Sequence, residues 1–416
     1  MIHGVFSIRT APLLQHATIT DLPDRPVTIE PAGTLVYHLE RGAHSDKIPT
    51  ADGGGVKIGQ RLFLDSPDKG YCLAAQAGRI TARSNLTGTF GQQLVEISIS
   101  TTEDLQEYDE EFSDACRDPS LEKASLFFRG LPGRPDFLPL TDPRQQIERL
   151  VILGVDDDVQ GCSNGYLVKH HINSVLAGIT LLKKITGLSE SWLFVPDYLE
   201  PLLPTSSSAV RTVKAGYPEA NREVIRKRIC RELNIPVADD RCAFFSAEAA
   251  CALSAVCSED TRIPGKILTF VDKCGKQSLV STPVGTPVRE ILQYFGETLH
   301  EGDRLVIGGP MKGTAVFSVD FPVSSTTNAI MVQDRRDIVE TEDVACVNCG
   351  ACVRVCPVDI QVNMLIRVLE VGEYEEAASR YNLFSCIDCG LCSYVCEARI
   401  AVFQHIRIAK TALDYA

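Results

Sequence analysis

The chain has 416 residues, 44% of them hydrophobic and 23% charged, with a net charge of −13 at pH 7. That length and apolar content suffice for several packed domains, and the acid excess argues against a nucleic-acid ligand, whose phosphates need a basic face. No apolar run reaches the roughly 18 residues of a membrane span, and Met1-Ile2-His3-Gly4-Val5 lacks the basic and apolar regions of a secretory signal.

Residues 1–30 carry Pro12, Pro23 and Pro26 among short apolar clusters, which predicts an extended N-terminal arm. From 31 to 100 the pattern is of short β-runs between glycine turns, at 34–39, 56–64, 70–75, 79–82 and 94–98. Within 56–64, Gly59 supplies a tight bend between two strands. A small β barrel or sandwich follows from this texture. Residues 101–142 read as an acidic, proline-rich linker, with a solvated helix as the other reading of its acidic part 101–119.

The texture of 143–262 is α/β and Rossmann-like. Strands are expected at 150–155 and 191–195, and helices at 167–185, 219–233 and 244–256. His170 and His171 fall inside a helix and point about 100° apart, so they read as structural. From 263 to 333 the order is strand, strand, helix, strand (267–271, 277–281, 288–295, 305–307), the outline of a β-grasp unit. Gly308-Gly309-Pro310-Met311-Lys312-Gly313 closes it as a turn, because the G-x4-G-K-[ST] frame of a phosphate loop is missing. A charged linker, 334–343, leads into the last domain, 341–416.

That domain carries the chemistry. Cys346, Cys349, Cys352 and Cys356 are spaced x2, x2, x3, and Cys386, Cys389, Cys392 and Cys396 repeat the spacing. This is the bacterial dicluster ferredoxin run written twice, in which the fourth cysteine of each run ligates the other cluster. Cys346, Cys349, Cys352 and Cys396 are therefore assigned to one [4Fe–4S] cluster, and Cys386, Cys389, Cys392 and Cys356 to the second. Structural zinc uses separated cysteine pairs or histidines instead. Pro357 follows the first run and Glu397 the second, and the spacer between them reads as two helices split at Gly372. The other cysteines (Cys72, Cys116, Cys162, Cys230, Cys242, Cys251, Cys257, Cys274) share no spacing and read as buried small hydrophobes in a reduced, cytosol-facing protein.

This order of domains resembles RnfC, the peripheral subunit of the Rnf electron-transport complexes. His3-Gly4-Val5-Phe6 sits where that family has its N-terminal motif. Val56-Lys57-Ile58-Gly59-Gln60 and Ala77-Gly78-Arg79-Ile80 resemble the halves of its biotinyl-like hybrid barrel. Val284-Gly285-Thr286-Pro287-Val288 and the 308–313 turn are similar to its soluble-ligand-binding β-grasp (SLBB) domain. The resemblance implies a multidomain α/β and β protein: hybrid barrel at 31–100, α/β domain, SLBB β-grasp and helical dicluster ferredoxin. It also implies residence on the cytoplasmic face of the cell membrane, with partners among the other subunits of the complex and a soluble redox protein.

One region departs from the family. The glycine-rich loop that cradles an FMN phosphate there becomes Arg129-Gly130-Leu131-Pro132-Gly133-Arg134-Pro135-Asp136, and prolines remove donors where phosphate needs them. Arg129 and Arg134 remain as phosphate partners, so FMN stands as a candidate cofactor. The family's downstream acidic motif becomes Asp156-Asp157-Asp158, read as a solvated strand end, with a retained site or a metal loop as alternatives. The leading reading is an iron–sulfur electron-transfer subunit with no catalytic residue of its own. The alternatives are an FMN-dependent NADH dehydrogenase, a corrinoid reductase, or an adaptor in which the clusters are structural.

Overall fold

The computed structural model describes residues 14–19, 22, 24–40, 53–64, 70–101, 107–203, 209–237, 241–258, 262–342 and 344–414. The His3–Phe6 motif lies outside them. Among its described residues the arm holds no α-helix, and it is stitched into the body. His16 N–H donates to Ala215 (2.8 Å), Ala17 N–H to Val159 (2.6 Å), and Ile19 is 1% exposed. Further on, β1 (Val27–Thr28) pairs in parallel with a strand near residue 280.

The front unit contains β2 (Thr34–Glu40), β3 (Gly55–Val56), β4 (Arg61–Leu62), β5 (Cys72–Leu73), β6 (Gly78–Thr87) and β7 (Gln93–Thr101). Four of these form an antiparallel sheet in the order β2-β7-β6-β3, and β4 and β5 form a separate ribbon. Val95, Ile97 and Ile99 alternate inward along β7, the period of a strand with one buried face. With Leu35, Tyr37, Leu39 and Ile80 they build the core of this unit. Gly59 takes φ +80°, and a Cβ there would lie 2.2 Å from the Phe112 ring, so turn and packing both require glycine.

From Glu110 onward the acidic stretch is helical. Asp109 and Ser120 cap α1 (Glu110–Arg117) and α2 (Leu121–Phe127), accepting the backbone N–H of Phe112 and Lys123. After the four-residue α3 (Leu138–Thr141) the chain enters the α/β unit. Phe112, Phe128 and Phe137 are at most 1% exposed and join the core of that unit. Each such burial contributes roughly 1.5–3 kcal/mol.

The α/β unit runs β8 (Arg149–Leu153), α4 (Ser163–His170), α5 (Ile172–Thr186), β9 (Glu190–Pro196), β10 (Val210–Val213), α6 (Arg222–Glu232), β11 (Cys242–Ser246) and α7 (Ala247–Val256). Its four strands are parallel in the order β10-β9-β8-β11. Leu150, Val151 and Ile152 are fully buried, as expected of a strand covered on both faces. Two expectations change here. The helix expected over 167–185 starts earlier and breaks at His171, which leaves helical geometry at φ −128°, ψ 31°. Phe244 and Phe245 belong to β11 rather than to a helix, and Ser246 ends the strand by capping α7. Periodicity alone does not separate a short buried strand from an apolar helix.

A mixed six-stranded sheet follows, built from β12 (Lys266–Val271), β13 (Gln277–Thr282), β14 (Arg304–Ile307), β15 (Thr314–Val316) and β16 (Ala329–Gln333) with α8 (Val288–Phe295) packed on it. Its order is β1-β13-β12-β16-β14-β15, so the arm strand completes one edge. The last unit is helical: α9 (Ala351–Val355), α10 (Val362–Glu370), α11 (Tyr374–Arg380), α12 (Leu391–Tyr394) and α13 (Val402–Asp414). Gly372, at φ +79°, separates α10 from α11 where the spacer predicted a split.

Candidate metal centre

The two cysteine runs fold as repeats of one backbone. Asn348, Gly350 and Asp359 take positive φ, and so do Asp388, Gly390 and Arg399, at the offset that separates Cys346 from Cys386. Left-handed residues within such loops turn successive N–H groups to one side, forming the concave nests that receive phosphate and iron–sulfur groups. Short helices follow each loop, and α9 and α12 pack against each other. The packing mixes the runs: Cys389 lies within electrostatic range of Cys356, and Cys392 of Cys352. Cys352 in turn is within range of Cys346 and Cys349. Among the described residues no three His, Cys, Asp or Glu side chains converge as one metal ion would require. A [4Fe–4S] group, taking each thiolate on a different iron, does not ask for that convergence.

The settings of the two runs differ. Cys349 is exposed, and Val347 beside it is 66% exposed. Cys389 and Cys392 are buried. The second run docks on the body: Tyr217 Oη donates to the Cys389 carbonyl at 2.6 Å and Asn221 Nδ2 to that of Ile387 at 3.3 Å. Lys410 Nζ donates to the Cys386 carbonyl at 2.8 Å and to the Asp388 carboxylate. Gly390 permits the closest approach, since a Cβ there would stand 2.3 Å from the Met311 carbonyl oxygen. Tyr217, Met311, Val355, Ile387 and Leu391 seal the joint with apolar surface. Burial and the nearby acids hold Tyr217 protonated.

Met311 belongs to the 308–313 turn, which is a turn as expected but also receives a carboxylate. Asp158 accepts N–H bonds from Met311 (3.2 Å), Lys312 (2.8 Å) and Val159 (2.7 Å), and Asp157 pairs with Lys312 Nζ. Asp156 caps α4, accepting from Ser163 Oγ (2.8 Å) and from the N–H groups of Asn164 and Gly165 (both 3.1 Å). Asp156 and Asp158 are 8% and 7% exposed, so the solvated strand end is overturned. Burial pushes the Asp158 carboxyl up, and its three N–H donors pull it back.

These carboxylates lie beyond the C-terminal end of β8, next to β11, where the chain order of the parallel sheet reverses. Ligands of open α/β sheets bind at such switch points. A cleft of about 650 Å³ opens there, lined by Gly133, Arg134, Asp157, Arg222, Lys312 and Asn328 among others. Its wall includes the loop that departs from the flavin pattern, and most of the loop's backbone donors are spent. Arg129 turns its N–H group to the Tyr71 hydroxyl at 3.0 Å. Leu131 N–H donates to Phe128, Gly133 to Ser325 and Arg134 to Leu131, at 2.9–3.0 Å. Pro132 and Pro135 have none. Gly133 is needed for packing, since a Cβ there would meet the Ala249 nitrogen at 2.4 Å. With most of its N–H groups engaged and two prolines, the loop lacks the row of free donors that cradles a phosphate, and the Asp136 N–H and the Arg134 side chain are what it retains toward one.

Of the remaining candidates, His171 Nε2 lies 3.2 Å from the Tyr166 hydroxyl, and His170 stacks on the Tyr166 ring. Cys116, Cys162, Cys230 and Cys242 are buried, and Cys72, Cys251 and Cys257 partly so. Cys274 is exposed, against expectation, because it sits in the β12–β13 turn that Asp272 organises. The docking residues Tyr217, Asn221 and Lys410 had no signal in the sequence, since each meets its cysteine run only in the fold.

The family described as 4Fe-4S dicluster domain matches residues 338–397. A subunit of the ion-translocating oxidoreductase complex of Vibrio cholerae serotype O1 is 24% identical over 351 residues, 77% of this chain and 45% of that protein. A subunit of the proton-translocating ferredoxin:NAD(+) oxidoreductase complex of Clostridium ljungdahlii is 24% identical over 281 residues, 65% of this chain and 61% of that protein. The chain thus spans about half to three-fifths of these relatives' length. A crystal structure of NAD+-reducing [NiFe]-hydrogenase in the H2-reduced state aligns with a TM-score of 0.44 and 14% identity, over 72% of this chain and 64% of that one.

Proposed function

We propose that this chain, a relative of RnfC-type subunits of the ion-translocating oxidoreductases, is the iron–sulfur electron-transfer subunit of an Rnf-like membrane-associated complex. Cys346, Cys349, Cys352 and Cys396 hold one [4Fe–4S] cluster, and Cys386, Cys389, Cys392 and Cys356 hold the other. The observation that carries the reading is the packing of the two runs against each other through α9 and α12, with Cys356 within electrostatic range of Cys389, in a backbone that repeats its left-handed positions. Bound clusters of this kind accept and give up one electron at a time. The protein's part is to fix their spacing and surroundings. Tyr217, Asn221 and Lys410 bind carbonyls of the second run, and Gly390 lets it seat on the Met311 carbonyl.

FMN is left out of this reading, because most N–H groups of the loop that would cradle its phosphate are engaged elsewhere. A hydride needs a two-electron acceptor, so the electrons come from a partner protein rather than from NADH directly. The front β unit corresponds to the hybrid barrel and the six-stranded unit to the SLBB β-grasp domain, both serving to dock partners. No helix among the described residues is long and apolar enough to cross a membrane, and the proposed place is the cytoplasmic membrane face. Anaerobic purification with iron, acid-labile sulfide and flavin measured on one sample tests this. About eight irons and eight sulfides per chain without flavin is the expected content. Stoichiometric FMN would restore the NADH dehydrogenase reading, and zinc in place of iron would overturn the assignment.

A further inference from the structure

A second cleft, of about 460 Å³, lies where the front β sheet, the β15 side of the six-stranded sheet and helix α13 meet. Its size is that of a small-molecule site, and its walls are mainly apolar, with Leu94, Val316 and Phe317 among them. Phe317 is 78% exposed although it is a large aromatic side chain. The acids that line the cleft are already satisfied. Glu96 pairs with His38 at 3.1 Å, and Asp320 pairs with Arg289.

The one guanidinium among the described lining residues is differently placed. Arg407 stacks over Phe90 with its Cζ 4.4 Å from the ring centroid. Its Nη1 donates to Thr314 Oγ1 at 2.6 Å and to the Lys312 carbonyl at 3.4 Å, both neutral acceptors. Among the described residues no carboxylate forms an ion pair with it, and Asp388, which acts on it through space, is itself held by Lys410 at 2.9 Å. A guanidinium presents five N–H donors in a planar fork. Here Nε and Nη2 have no partner among the described residues.

We propose that this cleft binds a small amphipathic organic anion, its aromatic or alicyclic body lying against Val316 and Phe317 and its carboxylate, sulfonate or phosphate held by Arg407. An oxyanion that offers two oxygens to the planar guanidinium fork accepts two parallel N–H bonds, which is what such a group recognises best. The site is separate from the switch-point cleft, and it stands or falls independently of the electron-transfer reading.

Isothermal titration of the 416-residue, cluster-loaded chain tests this, with two probes of one shape: 8-anilinonaphthalene-1-sulfonate and the uncharged N-phenyl-1-naphthylamine. The expected result is one saturable sulfonate site per chain. Arg407→Met, which keeps an unbranched side chain over Phe90, should weaken sulfonate binding at least about tenfold and leave the neutral probe within about twofold. Val316→Trp, which fills the cleft, should abolish binding of both. Unchanged iron content in each variant certifies the fold. Absence of a saturable site, unaltered sulfonate affinity in Arg407→Met, equal loss of both probes in that variant, or undiminished binding in Val316→Trp would each overturn the proposal.

Discussion

Lys266 and Glu248 form an ion pair inside the protein, their side chains 0% and 5% exposed. Lys266 Nζ also donates to the Ile267 carbonyl and to Asn328 Oδ1, both at 2.9 Å, and Glu248 Oε1 accepts the Ile267 N–H at 3.0 Å. Burial pushes the Glu248 carboxyl up while Lys266 draws it down. Such a network offsets the desolvation of its charges only when complete. Lys266→Met leaves the carboxylate unpaired, and urea denaturation should show a loss of roughly 3–5 kcal/mol. A loss under about 1 kcal/mol would mean that the pair is not what joins α7 to β12. His38 gives a pH dependence of known sign. Burial holds it below the ordinary histidine value, against the pull of Glu96. The unfolded chain takes its proton near pH 6.5 and the folded chain only at lower pH. The contribution is therefore complete above about pH 6.5 and falls as pH drops toward and through the depressed folded value. Thermal melts of His38→Gln should show a flatter decline below pH 6.5 than the parent, and an identical decline would assign it to other groups.

At the scale of elements, the two cysteine loops provide an internal control. Gly350 and Gly390 occupy equivalent left-handed positions, φ +72° and +71°. Alanine costs each about 1 kcal/mol of backbone strain. The added Cβ of Gly350→Ala meets only the end of the flexible Arg354 side chain at 3.2 Å, whereas that of Gly390→Ala meets the Met311 carbonyl oxygen at 2.3 Å. Gly350→Ala should keep nearly full iron content, and Gly390→Ala should lose about half of it, the share of one cluster in two. Equal losses would show that strain alone matters.

The cysteine spacing, most strands and the split spacer were legible because each reflects a local rule, of ligand reach, of period two, or of glycine at a helix end. Asp156, Asp157 and Asp158 were misread for the opposite reason. The turn that binds Asp158 lies 154 positions further along the chain, and nothing adjacent to a run of three carboxylates marks it as buried. Phe244 and Phe245 were misassigned because β11 passes into α7 through Ser246 without a turn.

Across the whole molecule, two runs with the same spacing are placed unequally by what surrounds them. The run from Cys386 is clasped by Tyr217, Asn221, Met311 and Lys410, next to the switch-point cleft, while the run from Cys346 presents Cys349 and Val347 to solvent. Under the proposed electron-transfer reading, the two runs make an inner and an outer end. A hydrophilic chelator with mild oxidant should therefore remove iron in two phases, about four irons quickly and about four slowly. The docking hydrogen bonds set the slow phase. Tyr217→Phe removes the 2.6 Å bond to the Cys389 carbonyl and leaves that acceptor buried, at a cost of about 1–3 kcal/mol. The slow phase should accelerate at least about fivefold with the fast phase unchanged. A single phase in the parent protein would remove the distinction between inner and outer ends. Equal acceleration of both phases would mean that Tyr217 supports the domain as a whole rather than the seat of one cluster.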